Sequence, residues 1–425
     1  MTTAIILTFI LGYIAITLEH TIKINKAASA LFTGVLCWTI YILGQPDKAL
    51  VSHQLMEQLG EISGILFFLL GAMTIVELID AHDGFEVITD RIKTKNTVKL
   101  LWIIAIITFF LSSLLDNLTT TIVIVSMLRK IIADREQRLM FAGITIIAAN
   151  AGGAWSPLGD VTTTMLWIGG QITALNIILQ LFIPSIFCLI VPLLLVSPKM
   201  KGTFESPKVV ENKTSTSTIF ERNFVFVLGV SILIFVPIFK TITHLPPFMA
   251  ILFGLSIMWI ITEMIHSGKD TEDKGMLTVV YALRKIDTPS ILFFLGILVS
   301  ISALQATGQL NLLAEWLTTT IANDTIIIMA IGLLSAVLDN VPLVAAVQGM
   351  YSLEQYPPDH FFWEFIAYAT GTGGSALVIG SAAGVAAMGL EKIEFFWYLK
   401  KITWLALIGY FAGALIYILQ YNLTH

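Results

Sequence analysis

Ser112-Ser113-Leu114-Leu115-Asp116-Asn117-Leu118-Thr119-Thr120-Thr121 interrupts two apolar runs, 100–111 and 122–128. The second half of the chain answers it with Ser335-Ala336-Val337-Leu338-Asp339-Asn340-Val341-Pro342. A carboxylate and an amide inside hydrocarbon are costly unless they meet a partner, water or an ion. The chain carries that cost twice, at matching places, so the pair reads as the two tips of an ion-binding site.

Around these stretches the chain is strongly apolar. Of its 425 residues 56% are hydrophobic and 12% charged, against about 25% charged in soluble proteins. Apolar runs recur from end to end, which predicts an all-α polytopic membrane protein. The alternating segments of a membrane β-barrel are absent from the pattern. Cys37 and Cys188 each fall inside an expected span and read as packing residues, with no disulfide framework or metal set. The start, 1–18, lacks a basic lead and a cleavage site, so a first transmembrane helix is expected there and not a signal peptide.

Expected spans lie at 3–18, 27–44 and 62–80, the last preceded by a polar loop at 45–61. An amphipathic basic interfacial helix is expected at 85–99. Runs 100–115 and 117–128 then form a descending and a returning limb. The second is too short to cross, which predicts a re-entrant hairpin with its tip at Asp116-Asn117. The run 139–168 is too long for one straight span, and its middle carries Gly152, Gly153, Pro157 and Gly159. Glycine and proline there predict a broken helix with an unwound centre. A span at 174–196 closes the first half, and 197–223 is a polar cytoplasmic linker.

The order then recurs through 224–425: spans at 224–239, 246–265 and 290–307, a hairpin 325–338 with 342–351, a broken helix 361–390 and a span 402–420. Gly64-Ile65-Leu66-Phe67-Phe68-Leu69 is answered by Ser290-Ile291-Leu292-Phe293-Phe294-Leu295. Gly152-Gly153 with Gly159 is answered by Gly373-Gly374 with Gly380. With the first helix entering from outside, 22 of the 24 basic residues fall in inside loops, leaving Lys48 and Lys240 outside. That bias sets topology. It predicts two inverted-topology repeats, 1–196 and 224–425, whose hairpins open to opposite sides.

The candidate site follows from depth and spacing. Thr119 and Thr120 are three and four residues from Asp116 and so share its helical face, with Asn117 beside it at the tip. Asp160 follows the break and precedes Thr162 and Thr163, and its counterpart by the glycine register is Ser381, so the fold itself does not demand a carboxylate there. Asn150, Gly152, Ser156, Thr372 and Ser375 flank unwound backbone, whose carbonyls suit a cation. Ser335, Asp339 and Asn340 complete the set from the second tip. The bland alternative is that the Asp and Asn residues are helix N-caps and the small polar residues close helix contacts.

The motifs at 112–121, 150–164 (Asn150-Ala151-Gly152-Gly153-Ala154-Trp155-Ser156-Pro157-Leu158-Gly159-Asp160-Val161-Thr162-Thr163-Thr164) and 338–342 resemble those of NhaD-type sodium/proton antiporters. That group sits in an ion-transporter superfamily with arsenite permeases and dicarboxylate carriers, and the similarity covers nearly the whole chain. The resemblance implies exchange of Na⁺ or Li⁺ for protons in a prokaryotic inner membrane or an organelle membrane derived from one. It implies a homodimer with a scaffold part and a moving part, and an ion site at Asp116, Asn117, Asn150, Asp160, Thr162, Thr163, Asp339 and Asn340. The expected partners are the lipid bilayer, monovalent cations and protons, with no cofactor and no nucleic acid.

Na⁺ suits oxygen ligands, which Asp116, Asn117, Asp160, threonine hydroxyls and carbonyls near Gly152 offer. A buried carboxylate holds a proton more tightly than in water, whereas a bound cation favours its ionised form. Proton and cation then compete for one set of acids during alternating access. An oxyanion or dicarboxylate permease is the nearest rival, but would want a buried Lys or Arg, and every one here is expected at a loop or membrane edge. An intramembrane aspartyl protease using Asp160 and Asp116 lacks its usual glycine, because Pro157 stands there.

Overall fold

A computed structural model describes residues 1–89, 94–200, 202–204, 217–267 and 275–424. Among them every regular element is helical; the one β-bridge, Asn96 with Thr203, is isolated. Among the described residues eight helices are long and apolar enough to cross a membrane, or nine if the pair Gln309–Ile321 and Asp324–Leu334, bent by 120°, counts as one. Large apolar side chains face outward on these helices, among them Phe32, Leu43, Leu175, Val227 and Leu415. A surface of that kind belongs in lipid, and the protein is an integral, multi-pass membrane protein.

Three expected boundaries change. The polar loop at 45–61 is helical from Lys48 and continuous with the third span, giving one helix Lys48–Ala81 of 34 residues. Asp47 caps it through a hydrogen bond from the Leu50 N–H. At 1.5 Å per residue this helix is about 50 Å long, so one end must project beyond a hydrocarbon core of about 30 Å. Polar residues on helical backbone serve that projecting end as well as a loop would. Of the interfacial helix expected at 85–99, Glu86–Thr89 is a single helical turn; residues 90–93 lie outside the described residues, 94–96 are not helical, and 97–99 already belong to the next helix, which starts at Thr97 behind the cap Asn96. Most of the linker, 205–216, also lies outside them. A further helix, Gln309–Ile321, fills the gap before the second hairpin.

Helix pairs cross between the halves. Lys26–Gly44 packs against Thr288–Ala306, and Pro247–Ile265 packs against Lys48–Ala81. The limbs Thr97–Leu115 and Asn117–Ile131 both pack on Arg135–Ala154, while Asp324–Leu334 and Asn340–Met350 both pack on Phe361–Gly373. The second segment of each broken helix crosses over. Ala382–Glu391 lies on the returning limb Asn117–Ile131, and Val161–Ile168 lies on Asn340–Met350.

The glycines explain the closeness. A Cβ on Gly152 would fall onto the Phe109 carbonyl oxygen, and one on Gly373 onto that of Gly332. Serine braces repeat beside them: Ser112 Oγ donates to the Ala149 carbonyl at 2.6 Å, and Ser335 Oγ to the Thr370 carbonyl at 3.2 Å. Small residues let backbones approach in this way within membranes.

Each hairpin has its outer ends fastened. On the first, Lys130 lies 3.9 Å from Glu86. Arg129 and Arg138 both bind Glu391 at 2.8 Å. On the second, Tyr356 Oη donates to Asp324 at 2.8 Å, and Asp359 accepts from Thr173 N–H and Oγ1 at 2.6 and 2.7 Å.

Candidate cation site

Both helix breaks are built alike. Arg135–Ala154 ends at Trp155, and Val161–Ile168 restarts behind Asp160, whose Oδ1 accepts from the Thr162 N–H at 2.9 Å. In the second half Phe361–Gly373 runs into a short 3₁₀ turn, and Ala382–Glu391 restarts behind Ser381, whose Oγ accepts from the Gly384 N–H at 3.2 Å. Asp160 and Ser381 are therefore both N-caps. Capping accounts for one oxygen of Asp160 and leaves the other to be explained.

That other oxygen is met by the tips. Asn117 Nδ2 donates to Asp160 Oδ2 at 2.7 Å and to Asn150 Oδ1 at 3.0 Å. From the second tip Asn340 Nδ2 lies 3.3 Å from both Asp160 oxygens. Thr162 Oγ1 adds a bond to Oδ1 at 2.9 Å. Asn150 Nδ2 reaches across to Ser375 Oγ at 2.8 Å and Ser381 Oγ at 2.9 Å. The cluster thus draws Asn117, Asn150, Asp160 and Thr162 from the first half and Asn340, Ser375 and Ser381 from the second. Asp160 is 1% exposed and Asn150 fully buried. A carboxylate this deep needs such donors, since an unpaired buried charge costs several kcal/mol by the usual reckoning.

The remaining candidates lie around this cluster. Asp116 turns its carboxylate onto its own hairpin, accepting from Thr119 N–H at 2.8 Å and Thr119 Oγ1 at 2.9 Å. Asp339 accepts from the Val341 N–H at 3.2 Å. Neither makes a hydrogen bond to Asp160, yet both lie near enough to act on it electrostatically. Thr120 Oγ1 is buried without a hydrogen-bond partner among the described residues. Ser156 Oγ donates to the Ser113 carbonyl at 2.6 Å and tethers the break to the hairpin. Thr372 Oγ1 and Ser335 Oγ bond carbonyls of their own surroundings, and Gly152 is a close-packing position.

Two expectations shift. The carbonyls at the first break are not all open to a cation: Thr164 Oγ1 donates to the Pro157 carbonyl at 2.8 Å and Thr163 Oγ1 to that of Asp160 at 2.9 Å. The helix restarts so soon that its first threonines fold back onto the break. Not every basic side chain keeps to an edge away from the acids either: Lys26 Nζ stands 3.7 Å from Asp339 Oδ2. A long side chain reaches inward from a helix end, which position along the chain does not reveal. Ser381 joins the cluster and is legible in the sequence only as the register mate of Asp160. Glu364, 2% exposed, accepts from Asn176 and from Tyr417 Oη at 2.5 Å, apart from the cluster.

Residues 6–369 match the family described as citrate transporter. The chain is 49% identical to sodium/proton antiporter 1 of Arabidopsis thaliana over 99% of its own length and 73% of that protein. It is 45% identical to sodium/proton antiporter 2 of the same plant, over 98% and 99%. It is 29% identical to the Na⁺/H⁺ antiporter NhaD of Vibrio cholerae, over 98% and 91%. The chain belongs to this family and, within it, to the NhaD-type antiporters.

Proposed function

We propose that the protein exchanges Na⁺ or Li⁺ for protons across its membrane, with Asp160 as the acid over which the two compete. The observation that carries this reading is the Asp160 carboxylate, buried where both hairpin tips converge and held by Asn117 and Asn340 at once. A carboxylate removed from water favours its neutral form unless a cation lies beside it. Na⁺ takes oxygen ligands, and the side-chain oxygens of Asp160 and Thr162, with those of Asn117 and Asn340 once their amides turn, would form a fitting set. Because ligands come from both halves, motion of one tip changes the coordination. Alternating access by two inverted halves would use that dependence, and Asp116 and Asp339 would tune the acid by their charge. The names of the relatives, sodium/proton antiporters of a plant and Na⁺/H⁺ antiporters of bacteria, support the cations chosen.

The family's citrate description raises a tricarboxylate as the alternative. The cluster speaks against it. Its hydrogen-bonded side chains are one Asp, three Asn, one Thr and two Ser, and among the described residues no Lys or Arg is bonded to Asp160. A multiply charged anion would be repelled there.

The test is Na⁺-dependent proton flux in proteoliposomes. Where competition is simple, lowering the pH by one unit below the acid's pKa raises the apparent KM for Na⁺ about tenfold and leaves Vmax nearly constant. Asp160→Asn lowers exchange by about 100-fold or more, the loss expected when one partner of a buried charged set goes. A pH effect confined to Vmax would defeat the shared acid. Citrate uptake without cation-driven proton flux would defeat the exchange.

A further inference from the structure

One charged contact is not used by that reading. Lys26 is the first residue of the helix Lys26–Gly44, fixed there by two caps: Asn25 Oδ1 accepts from the Ala27 N–H at 2.9 Å, and Glu19 Oε1 from the Lys26 N–H at 3.1 Å. A cation at a helix N-terminus opposes the helix dipole, so the position is locally unfavourable. The side chain leaves its own helix and ends 3.7 Å from Asp339 Oδ2, over the Phe293 ring at 4.4 Å. Tyr13, from the first helix, faces the Asp339 main chain. The tip of the second hairpin is therefore held by three helices, Thr2–Thr17, Lys26–Gly44 and Thr288–Ala306.

The fold does not require this cation. The helix answering Lys26–Gly44 in the second half is Pro247–Ile265, of the same length, and it opens on Pro247. The first tip, Asp116, meets instead a small cavity of about 20 Å³ lined by Phe68, Leu69, Met73, Val76 and Leu233.

We propose that Lys26 is a built-in counter-cation of Asp339 that moors the second hairpin tip and yields when a transported cation approaches. The ammonium then acts as a positioning group for exchange: it lowers the affinity of the resting protein for Na⁺ and returns the emptied tip to its mooring. The inference rests on the cation-exchange reading above. The side chains are 28% and 20% exposed, so solvent weakens the pair and the effect expected is modest.

The experiment measures Na⁺-dependent thermal stabilisation of the purified full chain in detergent against choline, since a ligand that binds the folded state raises its stability by mass action. Lys26→Met lowers the apparent Kd for Na⁺ about fivefold, the scale of a partly exposed ion pair, and Lys26→Arg keeps the wild-type Kd. On an Asp339→Asn background Lys26→Met has no further effect. An unchanged Kd in Lys26→Met, or an equal shift with and without Asp339, overturns the proposal. If Lys26→Met does not fold, Lys26→Gln carries the same expectation. Failure of both to fold while Lys26→Arg folds marks a structural brace and also overturns it. A wild-type protein that Na⁺ does not stabilise defeats the exchange reading, whereas a normal wild-type response with silent Lys26 variants defeats only the mooring.

Discussion

The two hairpin tips carry the same Leu-Asp-Asn triplet and are built differently. At the first, helix Thr97–Leu115 and helix Asn117–Ile131 are separated by Asp116 alone, held at φ 78° and ψ 159°. That region is essentially restricted to glycine and costs about 1–3 kcal/mol for other residues. At the second, residues 335–339 form a longer turn and Asp339 sits relaxed at φ −54° and ψ 138°. The first tip is strained and faces apolar side chains; the second is relaxed and faces Lys26. Both nevertheless deliver their asparagine to Asp160. Matching sequence thus secures the shared ligand, while backbone strain at one tip and an ion pair at the other set how each is held.

The largest test of this comparison lies at the hairpin ends. Glu391, 1% exposed in its side chain, joins Arg129 and Arg138, whereas Asp359, just ahead of the second broken helix, bonds the neutral Thr173. Glu391→Gln leaves two guanidinium groups short of a carboxylate. The expected loss is about 3 kcal/mol, since breaking a buried ion pair costs more than losing a neutral hydrogen bond. Asp359→Asn, at an exposed site, costs about 1 kcal/mol. Thermal unfolding in detergent measures both, and equal losses would remove the asymmetry of the ends.

The tips come next. Asp116→Gly loses a cap but releases strain, so stability changes little; Asp339→Gly loses a cap and an ion pair with no strain to release. The second variant is expected to be less stable than the first by about 2 kcal/mol. Similar stabilities would mean that Asp116 is not strained in the folded protein.

The smallest difference is between the serine braces. Ser112→Ala removes a 2.6 Å bond between helices, and Ser335→Ala a hydroxyl shared between the Gly332 carbonyl of its own helix at 2.8 Å and the Thr370 carbonyl at 3.2 Å. Each is worth about 1 kcal/mol or less, with Ser112 the larger. A larger loss at Ser335 would show that the second hairpin, and not the first, depends on its brace.

The sequence by itself determined the helical membrane class, the two breaks and the polar tips. Apolar run length fixes spans, and glycine and proline fix breaks through backbone terms that are local. Asp160 was legible because a carboxylate inside an apolar run is too costly to persist there without a partner, water or an ion. Periodicity did not reveal that 48–61 continues the third helix, because polar residues suit a helix and a loop equally once outside the hydrocarbon. Tertiary structure alone decided which polar atoms meet. Asn117, Asn150, Asp160, Asn340 and Ser381 come from both hairpins and both helix breaks and converge only because these elements interlock. It also turned Asp116 toward Thr119 and brought Lys26 to Asp339. Such pairings depend on side-chain direction and on packing between distant helices, and a linear pattern encodes neither.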